Sequence, residues 1–406
     1  MIKKLSISYI IISFFILSSL YAGSKEYRIF GALGLLKAMY DMRFDDDDEL
    51  KTARKIEEVI AKKNIYYNES ELANYIDSIV EKIKPFAIAD RSTFSHYRIH
   101  VIRDYQLNAF TVGAGYIFVN SGIIAKLDNE AQLASVLAHE MAHVTKNHIQ
   151  QTVHEHAKVS GVLSLATIGM GDKIAELSDK ANLVLNLSLN AMVNGWGREK
   201  EEQADLTAVS YIIKAGYDPR EMPKVFEILL ETYGDPDPLG NFFYSNHPEN
   251  RKRIIYVNKY ISDNQSSIPF DDLKINQQSY DIQTKIVRFE TGKDLIQDNQ
   301  FNSGIKLLEK VSSTDTLYLD GYYWLGEGYR LQRKPEYRDK ALSYYTDALR
   351  INENYAYSYL GIGMIFYEEK NYPLARTNFE KYLALNPNAP DREKIEKLIR
   401  YTYRYR

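Results

Sequence analysis

Three patterns predict a mainly α protein with a small antiparallel β-sheet, followed by an all-α solenoid of tetratricopeptide-type repeats. Apolar residues recur at helical spacing from Leu50 to Lys84 and again from Asn129 to Tyr233. Between them, Tyr97 to Val101 and Tyr116 to Asn120 alternate as half-buried strands do, around a turn-prone segment with Gly113 and Gly115. Beyond Lys285 a helix-turn-helix pattern repeats itself. A chain of 406 residues suits two or three domains, here a first domain over 23–270 and a repeat domain over 280–406.

The first 22 residues read as an address. Lys3 and Lys4 precede an apolar run from Leu5 to Leu20, and Ala22-Gly23-Ser24 offers a small-residue cleavage point. A signal peptide removed after Ala22 places the mature chain in the periplasm; an uncleaved N-terminal anchor is the alternative. With no cysteine in the chain, a lipid anchor on that residue is excluded, together with disulfides, thiolate zinc clusters and cysteine nucleophiles. Any metal must therefore sit on His, Asp or Glu. The 51 Lys and Arg against 54 Asp and Glu leave a net charge of -3, which supplies no basic field for nucleic acid.

The elements follow in order. Asp45 to Asp48 opens a helix over Leu50, Ala53, Ile56 and Ile60, with acids at the positive end of the helix dipole. A second helix is expected over Glu69 to Lys84. Val159 to Met170 and Ala181 to Met192 are apolar but too short and too interrupted for ordinary membrane spans. They read as buried helices, with peripheral membrane contact as the other reading. The polar stretch from Asp263 to Asn276 reads as a linker. Tyr359, Ile362-Gly363, Phe366, Ala375, Phe379, Tyr382 and Pro387 then fall at repeat offsets, as do Trp324, Leu325-Gly326, Tyr329, Ala341, Tyr345 and Ala348. Lys285 to Val311 reads as a third, degraded unit and Asp391 to Tyr403 as a capping helix. Two units alone cannot bury their apolar faces, so either the third or the neighbouring domain must pack on them.

The strongest chemical signal is His139-Glu140-Met141-Ala142-His143 inside a helical run from Ala131 to Ile149. Two His four apart share a helix face with their rings converging, and Glu140 is placed to hold a water beside them, as in zinc hydrolases. A catalytic zinc needs a third protein ligand and one open position. A third His at the spacing of one known class would fall on Ile149, which excludes that class. His148, rotated from the pair on a continuous helix, reads as a surface residue or a support behind a ligand; His154 and His156 face differently and are weak candidates. Glu201-Glu202-Gln203-Ala204-Asp205 supplies a carboxylate instead. Glu201 can bind metal while Asp205, on the same face, accepts from a ligand His and fixes its tautomer. The small Ala204 lets the two helices approach closely.

His139 to His143, Glu201 with Ala204-Asp205, and Asn108-Ala109-Phe110 followed by Gly115-Tyr116-Ile117 resemble the HtpX-like and BepA-like family of gluzincin metallopeptidases, relatives of the CAAX prenyl protease and Oma-type proteases. The similarity covers about residues 27 to 260, and the repeats resemble the BepA-like branch. The resemblance implies one zinc per chain on His139, His143 and Glu201, with Glu140 as general base. It also implies a substrate-binding edge strand at Asn108, Ala109 and Phe110, and a loop His-Pro matched by His247-Pro248 with a following arginine matched by Arg253. Where the family's turn reads Pro-Gly-Gly, this chain has Gly113-Ala114-Gly115.

Peptide hydrolysis on such a site needs a donor for the oxyanion, for which His247 or Arg253 is the candidate; His247 is alternatively a fourth, autoinhibitory metal ligand. An extended peptide would add a strand to the small sheet, giving broad main-chain recognition. The expectation is an exported zinc endopeptidase of misfolded or stalled envelope proteins, whose repeats dock a protein partner such as outer-membrane assembly machinery. The alternative is a chaperone or assembly factor for outer-membrane proteins in which proteolysis is secondary.

Overall fold

The computed structural model describes residues 44–63, 65–155, 196–234, 250–315 and 318–404. The expected leader at 1–22, the apolar stretches 159–170 and 181–192, His156 and the His247-Pro248 pair lie outside these residues. Helix α1 (Asp46–Ala61) starts as its acids predict: Asp45 is the N-cap, and its side chain accepts from the Asp48 N–H. Helix α2 (Ser70–Asp90) runs past the expected end and carries Pro85 within it, burying Leu72, Ile76, Ile79 and Ile83 as one stripe.

Three strands follow, β1 (Arg98–Ile102), β2 (Ala109–Gly113) and β3 (Tyr116–Asn120), in the order β1-β3-β2. The sheet is mixed. β2 and β3 form an antiparallel hairpin, but β1 pairs parallel to β3, with Arg98 opposite Tyr116. Strand alternation carries no information on direction, which is why an antiparallel sheet was expected throughout. The hairpin tip places Gly113, Ala114 and Gly115 successively at positive φ. Ala114 tolerates this at a cost of roughly 1 kcal/mol, and buried Glu49 of α1 holds the tip by accepting the Ala114 N–H at 2.7 Å.

Short helix α3 (Ser121–Lys126) leads to α4 (Glu130–Thr145), whose 16 residues are all buried. Its N-terminus is fixed twice. Asn129 Oδ1 accepts from the Gln132 N–H at 3.0 Å, and Glu130 accepts from Tyr217 at 2.7 Å, Tyr75 at 2.8 Å and Lys82 at 3.0 Å. Helices α5 (Arg198–Lys214), α6 (Glu221–Tyr233) and α7 (Asn250–Asp263) complete the shell around it. Ala204 of α5 is fully buried where α5 packs against α4, as its size suggests.

The segment after α7 corrects the linker expectation. Its polar composition conceals anchors: Ile268 is buried, and Phe270 and Leu273 pack on the same core. Two 3-10 turns shape it (Gln265–Ser267 and Phe270–Asp272), and the Ile275 carbonyl accepts the Ala131 N–H of α4 at 3.2 Å.

Helix α8 (Gln277–Gln283) follows, then the paired helices α9 (Lys285–Gln297), α10 (Phe301–Thr314), α11 (Leu319–Arg330), α12 (Arg338–Ile351), α13 (Ala356–Glu368), α14 (Tyr372–Leu385) and the terminal α15 (Arg392–Thr402). Tyr345 of α12 lies between Gly326 and Gly361, where a Cβ would sit 2.3 Å and 2.4 Å from its ring atoms. Tyrosine is thus a packing residue here, as its abundance suggests. Both expected supports of the repeats are present: α9 and α10 form the third unit, and α9 seats on α3. Buried Arg288 of α9 donates to the carbonyls of Leu127 at 2.9 Å and Ala125 at 3.3 Å, and Tyr280 donates to Ile124 at 2.6 Å. Among the described residues no helix is long and apolar enough to cross a membrane.

Candidate metal centre

Helices α4 and α5 bring His139, His143 and Glu201 together, with one ligand atom of each within 4.8 Å of the others. The two Nε2 atoms are 3.0 Å apart, and Glu201 places Oε1 3.5 Å from His143 Nε2 and Oε2 3.6 Å from His139 Nε2. The four-residue spacing on α4 and the position of Glu201 on the facing helix thus do what the sequence predicts.

The partners behind the ligands fix their tautomers. Nδ1 of His139 donates to Asp205 Oδ1 at 2.7 Å, so Asp205 stands where its four-residue spacing from Glu201 predicts. Nδ1 of His143 faces Nδ1 of His148 at 2.8 Å, and His148 Nε2 donates to Gln203 Oε1 at 2.8 Å. With both outward nitrogens committed as donors, both Nε2 atoms present lone pairs to the carboxylate of Glu201. Three acceptors converging in a buried space fit a cation. Burial, opposed by Glu201, pulls the His143 pKa down to about 3, which keeps its imidazole neutral and able to ligate.

His148 is fully buried, which corrects its reading as a possible surface residue. The helical run expected to reach Ile149 ends at Thr145, and Asn147 turns the chain at φ 60 before residues 148–155 resume a helix. That break re-aims His148 at the pair. Trp196, just before α5, stacks on the His143 imidazole with centroids 4.6 Å apart and planes 22° apart. His154 is not among the converging ligands and instead accepts the Phe44 N–H at 3.2 Å.

Arg253 of α7 lies beside the site, 4% exposed. It grips Asp205 with Nη2 to Oδ1 at 2.6 Å and Nε to Oδ2 at 2.8 Å, and its Nη1 is 3.3 Å from Glu201 Oε2. Its guanidinium also rests on the Phe226 ring at 4.2 Å. Burial opposes ionisation of Asp205, but Arg253 and then His139 outweigh it and hold the carboxyl below its usual range. Tyr256 donates to the same carboxylate. Neither Arg253 nor Tyr256 stands out as a support for Asp205 by spacing alone, because both come from a helix 48 or more positions away.

A cleft reaches His139 and Glu140 between α4, α6 and the β2 edge of the sheet, and Asn108 and Ala109 form part of its wall. Phe110 points to the other face of β2, where its ring stacks on Phe118 at 5.2 Å.

Residues 70–261 match the family model for peptidase family M48. The beta-barrel assembly-enhancing protease of Escherichia coli K12 is 27% identical over 168 residues, 40% of this chain and 34% of that protein. A Vibrio cholerae protein provisionally given the same name is 30% identical over 170 residues, 41% of this chain and 34% of that protein. The mitochondrial metalloendopeptidase OMA1 of Schizosaccharomyces pombe is 29% identical over 193 residues, 47% of this chain and 53% of that protein. The chain thus spans about a third of the length of the assembly-enhancing proteases it matches.

Proposed function

From the match of residues 70–261 to the model of peptidase family M48 and the convergence of three side chains that could hold a metal, we propose that this chain is an exported, zinc-dependent endopeptidase of unfolded or misassembled proteins. The observation that carries the proposal is the convergence of His139, His143 and Glu201 at the end of a cleft that Glu140 and the edge strand β2 share. Zinc held there would supply Lewis acidity toward the scissile carbonyl and a more acidic water.

The protein groups do the rest. Glu140 takes the proton of the attacking water and returns it to the leaving amine. Asp205 and His148 keep the two imidazoles in the ligating tautomer and orientation. Arg253 balances Asp205 and Glu201 and remains a candidate oxyanion donor together with His247. Among the described residues the outer edge of β2 is unpaired, and it offers a main-chain ladder to an extended substrate at Asn108 and Ala109.

The leader-like sequence at 1–22 supports a periplasmic location, and the repeats supply a surface for a protein partner. The names of the bacterial relatives favour a second reading, an assembly factor for β-barrel proteins in which cleavage is secondary. Purified wild-type protein should contain one zinc and cleave casein in a chelator-sensitive way, while Glu140→Gln keeps the zinc and loses cleavage. A metal-free wild-type protein, or a Glu140→Gln variant cleaving at the wild-type rate, would overturn the proposal. Rescue of cells lacking the protein by Glu140→Gln would favour the assembly factor.

A further inference from the structure

The edge strand β2 is held at both ends by side chains that the chemistry above does not use. In an antiparallel pair, alternate residues turn their N–H and C=O toward the partner strand. The Asn108 carbonyl accepts the Asn120 N–H at 2.9 Å and Phe110 lies opposite Phe118, so Leu107, Ala109 and Thr111 turn theirs to the outer edge. The first of these outward rungs is already taken. Tyr233, the last residue of α6, accepts the Leu107 N–H on its hydroxyl at 2.7 Å.

The other end closes at the hairpin tip. Thr111 Oγ1 accepts the Gly113 N–H at 3.1 Å, and Glu49 Oε1 accepts the Ala114 N–H at 2.7 Å. A Cβ on Gly113 would lie 2.6 Å from that same Glu49 oxygen, so the carboxylate fits under the tip only because position 113 has none. Glu49 Oε2 is fixed in turn by Gln150 Nε2 at 2.9 Å and Arg91 Nη2 at 3.1 Å, and Arg91 Nη1 donates to the Val144 carbonyl of α4 at 2.7 Å. The tip is thereby tied to the helix that carries His139 and His143.

We propose that Tyr233 and Glu49 are positioning residues that clamp β2 at its two ends, leaving Ala109 and Thr111 as the rungs for a substrate strand and fixing its register against the metal centre; the proposal rests on the peptidase reading. Tyr233 occupies the rung before Ala109, and the tip held by Glu49 ends the row after Thr111. A substrate that slipped past either end would find its next main-chain partner engaged. A slip of one residue turns every side chain to the other face and moves the scissile carbonyl about 3.4 Å along the strand. Even a misplacement of about 1 Å can cost about 100-fold in rate, so the two clamps protect the reacting geometry without touching the reacting atoms.

The test uses zinc-loaded, full-length protein and end-blocked peptides of two to eight residues that share one scissile bond. Wild-type kcat/KM should climb with length and level off once a peptide spans both rungs, at about five residues. Tyr233→Phe removes one hydroxyl from a half-buried position, and Glu49→Met removes the acceptor for Ala114. Both should lose progressively more as the peptide lengthens, about 10-fold at the longest and mainly through KM, with zinc content unchanged. Glu49→Gln, which keeps an amide oxygen for the Ala114 N–H, should recover part of the loss. If Glu49→Met does not fold, the Tyr233→Phe series decides alone. Wild-type cleavage indifferent to length, an unchanged Tyr233→Phe series, or a loss equal at every length overturns the clamp and leaves the peptidase reading standing. Absence of zinc-dependent cleavage of every peptide overturns the peptidase reading and the clamp with it.

Discussion

His148 presents Nδ1 to Nδ1 of His143 at 2.8 Å, so one metal-site imidazole is oriented by a second imidazole while the other, His139, is oriented by the carboxylate of Asp205. Both supports trace to one turn of α5, because Gln203 holds His148 and Asp205 holds His139, with Glu201 itself two residues before Gln203. The helix that supplies the third ligand therefore also aims the first two.

Replacing His148 by leucine removes the acceptor for His143 Nδ1–H and frees that ring to turn or change tautomer. Zinc affinity should fall about 10- to 100-fold. His148→Asn, which keeps an acceptor, should recover part of the loss. Competition with a chelator of known affinity measures both, and an unchanged affinity in His148→Leu would remove this support from the account.

Asp205→Asn should weaken zinc binding by a similar factor, about 10- to 100-fold, and should also lower stability. The second effect arises because Arg253 is buried and loses its charged partner, a change that typically costs about 3–5 kcal/mol. Urea unfolding of the metal-free proteins separates the two consequences. A variant weaker in zinc binding but equal in stability would mean that Arg253 is satisfied by Glu201 alone.

Acid should destabilise the metal-free protein early. His143 is held down to about 3 and His148 to about 4 by burial, against 6.5 for an ordinary histidine. The unfolded chain therefore binds these protons first, and the stability conferred by the neutral rings is complete above pH 6.5 and is lost as pH falls toward 4 and then 3. Each group contributes up to about 1.4 kcal/mol per pH unit within its window. Urea midpoints of chelated protein at pH 7.5, 6 and 5 should fall, with a shallower slope in His148→Leu.

The seat of α9 on α3 bears on how the chain can be cut. Removing residues 280–406 strips Tyr280 and Arg288 from three backbone carbonyls that follow β3. That truncation should lower the thermal midpoint of the remaining domain and its cleavage of small peptides, whereas removal of 318–406 should leave both close to those of the full chain. Arg288→Ala in the intact protein should cost about 1–3 kcal/mol, the usual effect of leaving a buried acceptor unmet. Equal midpoints for the two truncations would show that the repeats contribute nothing to the domain they touch.

Much of the centre was legible because its logic is local. Four-residue spacing on a helix places His139 with His143, and Glu201 with Asp205, whatever the rest of the fold does. His148 was not, because a single left-handed residue, Asn147, resets the helical phase that the expectation assumed. The segment after α7 was misjudged for a related reason: Ile268, Phe270 and Leu273 are too sparse to register as a pattern, yet each reaches the core. Strand direction in the sheet depends on how the chain returns between β1 and β3, and alternation of apolar residues is blind to that.

The stack of Trp196 on His143 gives the protein an optical handle. An indole 4.6 Å from a metal-site imidazole senses the electronic state of that ring directly, and the chain has only one other tryptophan, Trp324 in the repeats. Emission from Trp196 is therefore coupled to the occupancy of one coordination site, while Trp324 serves as an internal standard far along the chain. The centre can be titrated by light without a label, a substrate or a chromogenic chelator.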